Sequence, residues 1–371
     1  MAQVSDKVPM SMTDSFSSLL LEWQQSLRGF KFSAVLIVLT MSSGAMPAAI
    51  LPSDRQIVWA AGVPGGIPTF PVAINVKNPP YNAAGNGATD DTAAIQNAID
   101  ACPVGQAVYL PPGTYSISNT LNISHRIALR GAGIGQTVLR YSGTAGIVMI
   151  QMHNGGNIGN AVPVTSGSSK GSASVTVSDS SPFSVGTYVC LRQLNPSFVS
   201  VSGDNGTITW ASRNDNTRAM SQLNKIAAIS GNALRLERPC YVDMPNSPEL
   251  KPVQLMEGGG VEEMTLNRTN QASGSDGQNV NFNSVANGWI KDVESINTGR
   301  AHFRLTICFR CEIRGCTANS ANSAFEHDGD HAYGCFNFDW NSDNLVENNI
   351  ATGCRHSIIF EGGGERCRDR L

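Results

Sequence analysis

The chain has 371 residues, of which 15% are charged, and it carries a formal net charge of −3. This length allows one large domain or two ordinary ones. A slightly acidic chain with no basic stripe does not fit nucleic-acid binding, because such binding depends on Lys and Arg that neutralise phosphates. The low charge, with 37 Gly and many Ser, Thr and Asn residues, favours a protein of strands and turns over a helical bundle.

The first predicted element is a targeting segment within residues 1–50. Arg28 and Lys31 precede an apolar run at residues 32–41. This run is too short to span a bilayer comfortably and fits the hydrophobic region of a signal peptide. We therefore expect a secreted or cell-envelope protein that contacts a membrane only if this segment stays uncleaved.

Residues 85–102, GNGATDDTAAIQNAIDAC, predict a short helix after a glycine turn. Apolar residues recur at helical spacing, and Thr89 stands at the expected N-cap position. The adjacent Asp90 and Asp91 could form a catalytic pair, but acids at a helix start also complement unpaired N–H groups and the helix dipole. We interpret both as structural and expect their double alanine variant to lose about 1–2 kcal/mol of stability and to keep its activity.

Short strands separated by turns follow this helix. Val108–Ser118 reads as a strand, a Pro-Pro-Gly turn and a second strand, and Ile127–Gly133 reads as another strand ended by glycines. Residues 161–250 break the pattern, with strand–turn–strand at Lys170–Gln193 and a hairpin at Lys225–Pro239. We interpret this region as a small β insertion that walls one end of a groove.

The C-terminal third contains a repeat. Trp289–Ser295, Cys311–Thr317 and Leu345–Ala351 align, and Val261–Asn267 is a looser copy. The spacing is about 23 residues for one step and about 33 for the next. A period in the low twenties, with β-branched residues and Asn or Gly corners, predicts a parallel β-helix or another β-solenoid. The open end of a solenoid needs a cover, and the helix predicted at residues 92–101 is well placed to supply it.

A second repeat contains two histidines. The pattern I-x-T-G-x-x-H occurs at Ile296–His302 and again at Ile350–His356. The two copies are 54 residues apart, which fits two turns and an insertion. Because adjacent strands lie about 4.8 Å apart, we expect His302 and His356 on one face, about 10 Å from each other. Stacking within the repeat is the alternative interpretation for both rings.

The insertion between these histidines holds the densest titratable cluster of the chain. The turn from Cys316 to Leu345 is about ten residues too long, and its excess includes Phe325–Gly334, FEHDGDHAYG. Loops on a rigid scaffold commonly carry function, although a solvated turn and surface ion pairs are the alternatives here. The candidate catalytic residues are Asp328, Asp330, His331, His302 and Glu326. The candidate substrate-binding residues are Arg304, Arg355 and His356.

Nine cysteines leave at least one thiol unpaired in any set of disulfides. Cys308 and Cys311 form a C-x-x-C pair, but no second pair or H-x-x-x-H accompanies it, which disfavours zinc. Free Cys packs as a small hydrophobe. We therefore expect stacked core thiols, or one or two disulfides.

The opening stretch, followed by VYLPPGTYSIS and IALRGAGIGQTVL, resembles the pectate-lyase-like superfamily, which includes pectate lyases, polygalacturonases, rhamnogalacturonases, related glucanases and phage tailspikes. The resemblance is strong over residues 70–150. It implies an all-β fold, a right-handed parallel β-helix with a short N-terminal capping helix, beside which the small β insertion would lie. The predicted organisation is a targeting segment at 1–50, the cap and first β-helix turns at 70–160, the insertion at 161–250, and further β-helix turns at 251–371. We expect the last of these turns to be truncated at the C-terminus.

The catalytic motifs of two families in this superfamily are missing. Polygalacturonases are expected to contain N-T-D, an adjacent D-D, G-H-G and R-I-K in this order. Here the only D-D is the pair at 90–91, and neither G-H-G nor R-I-K occurs. The pectate lyase pattern R-x-P-x-x-R is also missing. No catalytic residue is carried over from either family, because one fold supports many reactions.

Three functions follow from these residues. Glycoside hydrolysis needs two carboxylates, about 5 Å apart for retention or about 6.5–9.5 Å for inversion, and the acidic loop supplies three candidates. Elimination from a uronate needs a base at C5 and cations that neutralise the sugar carboxylate. Arg304, Arg355, His302 and His356 could serve in these roles, and Asp328 and Asp330 could hold Ca²⁺. The third function is glycan binding without catalysis, as in an adhesin or a tailspike. We expect a hydrolase or uronate lyase acting on a pectin-like or other microbial or plant polysaccharide, with no cofactor other than Ca²⁺ in the case of a lyase.

Overall fold

The computed structural model describes residues 60–144, 146–154, 159–197, 217–269, 277–321, 333–338, 340–361 and 368–370. Within these ranges strands dominate, and there is a single α-helix, α1 (Thr92–Ala101). No helix in the described part of the chain is long and apolar enough to cross a membrane. The predicted targeting segment lies outside the described residues and stays a prediction.

Parallel strands stack into the three faces of a β-helix. The first face contains β1 (Val72–Asn75), β3 (Ala107–Tyr109), β6 (Ala128–Arg130), the starts of β16 (Gly260–Arg268) and β19 (Trp289–Thr298), β21 (Glu312–Arg314), β24 (Leu345–Glu347) and β27 (Arg368–Arg370). The second contains β2 (Asn86–Asp90), β4 (Gly113–Ile117), β7 (Thr137–Tyr141), the ends of β16 and β19, β22 (Thr317–Ala321) and β25 (Ile350–Thr352). The third contains β5 (Leu121–Ile123), β8 (Ile150–His153), β17 (Gln278–Asn283), β20 (Ala301–Thr306), β23 (Tyr333–Phe338) and β26 (His356–Glu361). A short pair, β15 (Met256–Glu257) and β18 (Val285–Ala286), lies at the corner between the third and first faces.

The strand register confirms the predicted repeat. Val261 pairs with Ile290, Ile290 with Ile313, and Ile313 with Val346. All four side chains are buried in one apolar core that fills the β-helix. The same β-branched position in each turn therefore forms one interior row, as nearest-neighbour stacking in a solenoid requires.

Buried thiols and asparagines occupy the corners between turns. Eight cysteines in the described part of the chain are free thiols, and seven of them are buried, which confirms the interpretation as core thiols. Asn341, Asn344 and Asn349 accept hydrogen bonds from the backbone N–H groups of Cys308, Cys311 and Cys316 at 2.7–2.8 Å. Each amide also donates to a backbone carbonyl of the preceding turn. These side chains satisfy corner backbone groups that would otherwise be buried without partners.

The start of α1 differs from the sequence prediction. Thr89 is not the N-cap, because residues 86–90 are extended and pair with β4, which moves the helix start to Thr92. Asp91 stands at the N-cap position but makes no hydrogen bond to the helix from its side chain. Its carboxylate instead accepts hydrogen bonds from the backbone N–H groups of Ala84 at 2.6 Å and Gly85 at 3.0 Å. Asp91 therefore fixes the loop before the helix, while Asp90 accepts from the backbone N–H of Thr92 at 2.9 Å.

Asp91→Ala should destabilise the protein more than Asp90→Ala does. Asp91 is 2% exposed and its loss leaves two backbone N–H groups without their acceptor, whereas Asp90 is exposed. We expect a loss of about 2 kcal/mol in the free energy of unfolding for Asp91→Ala, measured by urea denaturation. The exposed Asp100→Ala serves as the control. A larger loss in Asp90→Ala than in Asp91→Ala would contradict this assignment.

A closed antiparallel barrel is inserted into the β-helix between β8 and β15. It consists of β9 (Val162–Ser166), β10 (Ser174–Val177), β11 (Tyr188–Arg192), β12 (Ser221–Ser230), β13 (Ala233–Leu236) and β14 (Glu249–Val253). The barrel has an apolar core of its own. It packs on the β-helix through Cys190 and Leu223, which contact the cluster containing Ile307, Phe309 and Trp340.

A buried polar contact also joins the barrel region to the β-helix. Asp343, which is fully buried in the turn before β24, accepts a hydrogen bond from the Tyr241 hydroxyl at 2.5 Å. It also pairs with the Arg238 guanidinium at 3.1 Å. Burial first, and then the Asp343 carboxylate, raise the pKa of Tyr241 far above its ordinary range. This tyrosine therefore remains a hydrogen-bond donor.

Candidate functional site

Most of the predicted catalytic residues lie outside the described residues. These are Glu326, Asp328, Asp330 and His331, so the acidic loop and its calcium site stay predictions. Within the part of the chain that the structure describes, no group of three or more His, Cys, Asp or Glu side chains could hold a metal ion.

His302 lies inside the β-helix, where it cannot contact a substrate. Its side chain is fully buried, and Nδ1 is 2.8 Å from the Ser295 hydroxyl. That hydroxyl also accepts a hydrogen bond from Asn279, whose amide oxygen accepts from Arg268 at 3.0 Å. Burial lowers the pKa of His302 to about 3, so the ring is neutral near neutral pH. This burial contradicts the catalytic assignment of His302, and the ring is a buried, hydrogen-bonded group inside the β-helix.

His302 and His356 both belong to strands of the third face, but the expectation that their side chains project from the same side of it is wrong. His356 pairs with Tyr333, and Tyr333 pairs with Ala301, so the register is offset from His302 by one residue. A one-residue offset reverses the direction of a side chain in a strand. His356 is half-buried and stacks on the Tyr333 ring, with 5.7 Å between centroids and 22° between planes.

His302 should make the protein less stable in acid. The unfolded chain takes up this proton near pH 6.5, whereas the folded chain takes it up only near pH 3. Stability from the neutral ring is therefore complete above about pH 6.5 and falls as the pH decreases toward 3, where the unfolded state binds more protons. We therefore expect the free energy of unfolding of His302→Gln, measured by urea denaturation, to decrease less between pH 7 and 4 than that of the wild type. The exposed His153→Gln should keep the slope, and an equal slope in both variants would refute the assignment.

The two predicted substrate-binding arginines are not brought to a common pocket. Arg304 is half-buried on β20, where it pairs with Asn281 and Phe336 of the neighbouring strands. Arg355 is exposed in the turn before β26. Neither of them, nor His356, lines the cleft that the barrel forms with the β-helix.

This cleft consists of two adjoining cavities. One has a volume of about 340 Å³ and lies between the barrel, the corner after the third face, and the segment 60–70. The other has a volume of about 530 Å³ and is lined by the barrel and residues 252–257. Tyr188, Lys225 and Glu257 line both cavities and therefore stand where the two meet.

The N-terminal segment forms one wall of the first cavity. It lies along the first face, since the backbone N–H of Gly62 donates to the Asp343 carbonyl at 2.7 Å. At its other end Phe70 packs edge-on against Trp289, with 5.2 Å between ring centroids. Val63 lines the cavity between these two attachment points.

Glu257 is held by three neighbours. It accepts a short hydrogen bond from the Tyr188 hydroxyl and another from the Asn287 amide at 2.6 Å. The Lys225 ammonium lies 3.9 Å from the same carboxylate and 4.8 Å from the centre of the Tyr188 ring. Tyr188 is 7% exposed, whereas the Glu257 side chain is 50% exposed. The carboxylate is thus oriented by the protein and open to a ligand.

The Tyr188 hydroxyl stays protonated at this position. Burial raises its pKa most, and the hydrogen bond to Glu257 and the charges of Glu257 and Glu237 raise it further. Arg310 opposes the shift without cancelling it. A buried phenol beside a carboxylate can donate a proton to a departing oxygen and recover one through its partner.

Cations and aromatic rings surround this group. Arg310 pairs with Glu237 at 3.2 Å and its guanidinium lies 5.0 Å from the Phe309 ring centre. Arg126 lies 5.0 Å from the centre of the Phe70 ring. With Lys225, these side chains provide the first cavity with three cations that can hold an anionic ligand.

Sequence reasoning missed this cleft because its residues come from separate elements. Tyr188 and Lys225 belong to the barrel, and Glu257 and Asn287 come from two turns of the β-helix. Tyr188 and Glu257 are 69 residues apart. The available signal was the insertion itself, which predicted the wall of a groove but no residue within it.

Comparisons with known sequences cover a minor part of the chain. Residues 73–181 match the family model described as rhamnogalacturonase A/epimerase, pectate lyase-like. The mannuronan C5-epimerase AlgE3 of Azotobacter vinelandii is 45% identical over 75 residues, which are 18% of this chain and 4% of that protein. Alginate lyase 7 of the same organism is 44% identical over 75 residues, which are 18% of this chain and 8% of that protein. The chain thus spans only a small part of the length of these relatives.

A solved structure covers more of the fold. The tailspike protein gp49 of Pseudomonas phage LKA1 superposes with a TM-score of 0.55 over 77% of this chain and 50% of that chain, with 16% sequence identity. At this identity the likeness concerns the fold alone. It agrees with the stacked parallel sheets described above.

Proposed function

We propose that the chain is a member of the pectate-lyase-like superfamily, and that it binds and modifies an acidic polysaccharide in the cleft around Tyr188. The observation that carries the proposal is the Tyr188–Glu257 hydrogen bond beside Lys225, at the junction of two cavities. The chemistry named for the epimerase and lyase relatives supports a polysaccharide ligand. Export from the cytoplasm belongs to the same proposal, since such polymers are extracellular.

The favoured reaction is proton abstraction from a uronate, leading to elimination. The sugar carboxylate would lie against Lys225 and Arg310, which stabilise the negative charge that develops when the C5 proton leaves. Glu257 would accept that proton. Tyr188 would donate its proton to the departing glycosidic oxygen, and the C–O bond would break as the C4–C5 double bond forms. All atoms and charges balance without a further reactant.

Hydrolysis is the second candidate reaction. Glu237 and Glu257 both line the first cavity together with Tyr188. Most glycosidases use two carboxylates that flank the glycosidic bond. In that case one carboxyl would protonate the leaving oxygen, and the other would activate water or attack the sugar.

A product assay separates these functions. The protein is incubated with uronate polymers and with neutral polysaccharides, and both ultraviolet absorbance and new reducing ends are followed. Elimination yields both signals, and hydrolysis yields reducing ends alone. Binding without either signal supports glycan binding without cleavage of the polymer. The absence of both binding and turnover on every acidic polymer would refute the proposed function.

Calcium dependence is a separate proposal for the elimination reaction. The hard oxygen ligands of Asp328 and Asp330 suit Ca²⁺. EDTA should then abolish turnover, and added calcium should restore it. Asp328→Asn should reduce turnover by about 10²-fold if the acidic loop contributes an acid–base group, and should leave it unchanged if the Tyr188 cleft acts alone.

A further inference from the structure

A third cavity lies on the second face of the β-helix, at its N-terminal end. It has a volume of about 440 Å³, within the range of small-molecule sites. Its walls come from β2, β4 and β7, together with Thr269 after β16. It shares no lining residue with the two cavities of the Tyr188 cleft.

One wall of this cavity carries a cation without a neighbouring carboxylate. The Arg140 guanidinium donates a hydrogen bond to the Ser116 hydroxyl at 2.9 Å. Among the described residues, Arg140 has no Asp or Glu oxygen within ion-pair distance. Ser116 in turn donates to the Gly87 carbonyl at 2.9 Å, which fixes the hydroxyl that orients the guanidinium. Arg140 is thus held in place with charge available to an anion.

Another wall carries an exposed carboxylate. Asp90 accepts hydrogen bonds from the hydroxyls of Ser118 and Thr92, each at 2.5 Å. Ser116 belongs to β4 and Ser118 follows the end of that strand, and both residues line the cavity. The cation bound to one serine and the carboxylate bound to the other therefore share the cavity without forming an ion pair.

A cation and a carboxylate in one cavity fit a sugar acid as the ligand. A uronate ring carries a carboxylate that can pair with a guanidinium and hydroxyls that can donate to a carboxylate. Ser142 and Thr269 add hydroxyls to the same cavity. A simple inorganic anion would use Arg140 but would place its own negative charge in the same cavity as the Asp90 carboxylate.

We propose that this cavity is a second, non-catalytic binding site for an acidic sugar, with the carboxylate on Arg140 and a hydroxyl on Asp90. A polymer long enough to occupy this site and the Tyr188 cleft together would gain affinity from the linkage of the two sites. A short oligosaccharide would gain nothing. The site does not depend on catalysis in the cleft, so it would persist in a protein that cleaves no glycan.

Direct binding to the unmodified protein is the first test. Isotope-labelled protein is titrated with galacturonate, galactose and acetate, and the backbone amide signals of residues 116–118 and 140 are followed by NMR. We expect galacturonate to shift these signals at lower concentration than either galactose or acetate. Equal effects of galacturonate and acetate would reduce the cavity to an anion site, and no shift with galacturonate would refute it.

Matched variants provide the second test. Arg140→Gln should weaken binding of long polygalacturonate by about 10-fold or more, because the linkage between two sites is lost. It should leave the affinity of the Tyr188 cleft for short oligogalacturonates unchanged. Arg235→Gln, at an exposed arginine on β13, is the control and should match the wild type for both ligands. Equal polygalacturonate affinities for Arg140→Gln and Arg235→Gln, with both variants folded by their thermal transitions, would overturn the proposal.

Discussion

Tyr188→Phe should reduce turnover of the cognate polysaccharide by about 10²-fold or more, as the loss of an acid–base group does. Phenylalanine keeps the ring that packs edge-on against Phe309 at 5.9 Å and removes only the hydroxyl. The ring beneath Lys225 also remains, so the cation stays where a carboxylate would bind. We therefore expect the loss in kcat, with KM nearly unchanged, measured on the same polymer as the wild type.

The control for this variant is Tyr109→Phe, at a half-buried tyrosine on the first face. It should retain wild-type turnover. Glu257→Gln should match Tyr188→Phe in direction, because the amide can still accept the phenolic hydrogen bond but cannot take a proton. Wild-type kcat in both cleft variants would move the reaction away from this cleft and toward the acidic loop.

Asp343→Ala should lower the free energy of unfolding by about 3–5 kcal/mol, as removal of one partner from a buried ion pair does. The change leaves the Arg238 guanidinium and the Tyr241 hydroxyl facing an apolar space at the contact between the barrel region and the β-helix. Urea denaturation measures the loss. Asp343→Asn retains one acceptor and should lose less.

The control for the second prediction is Asp292→Ala, at an acid whose side chain is 48% exposed and pairs with Lys291. Such a surface pair contributes little, and its loss should be at most about 1 kcal/mol. If Asp343→Ala and Asp292→Ala lost equal amounts, Asp343 would not stabilise the contact. A selective loss would locate an important part of the stability at this junction.

The fold was more predictable than the site. A solenoid repeats one interior position per turn, so aligning Val261, Ile290, Ile313 and Val346 in the sequence already yields the strand register. The same logic misplaced His302, because a sequence pattern that repeats across a turn does not determine which residue begins the next strand. One residue of offset was enough to separate it from His356.

The cleft was not predictable because no short stretch of the chain contains it. Its central pair depends on how β11 of the barrel lies against the corner strand β15, and this is a matter of packing between distant elements. Isolated Tyr, Lys and Glu residues are common on any protein and carry no pattern. In contrast, the cluster of histidines and acids in one loop is recognisable from composition alone, and the catalytic residues were therefore predicted there.

The two ends of the barrel lie side by side, and this has a consequence for how such proteins diversify. Its first and last strands pair with each other through Val162 and Leu250, and the backbone N–H of Gly159 donates to the Pro252 carbonyl at 2.9 Å. The β-helix closes its own ladder across the gap, since Leu129 pairs directly with Val261. A module of this kind can be exchanged without changing the register of the β-helix, provided that the new module also supplies partners for the buried Asp343. Each exchange would replace the half of the cleft that contributes the phenol and the ammonium while the carboxylate stays in place, so new substrate preferences could arise by cassette replacement.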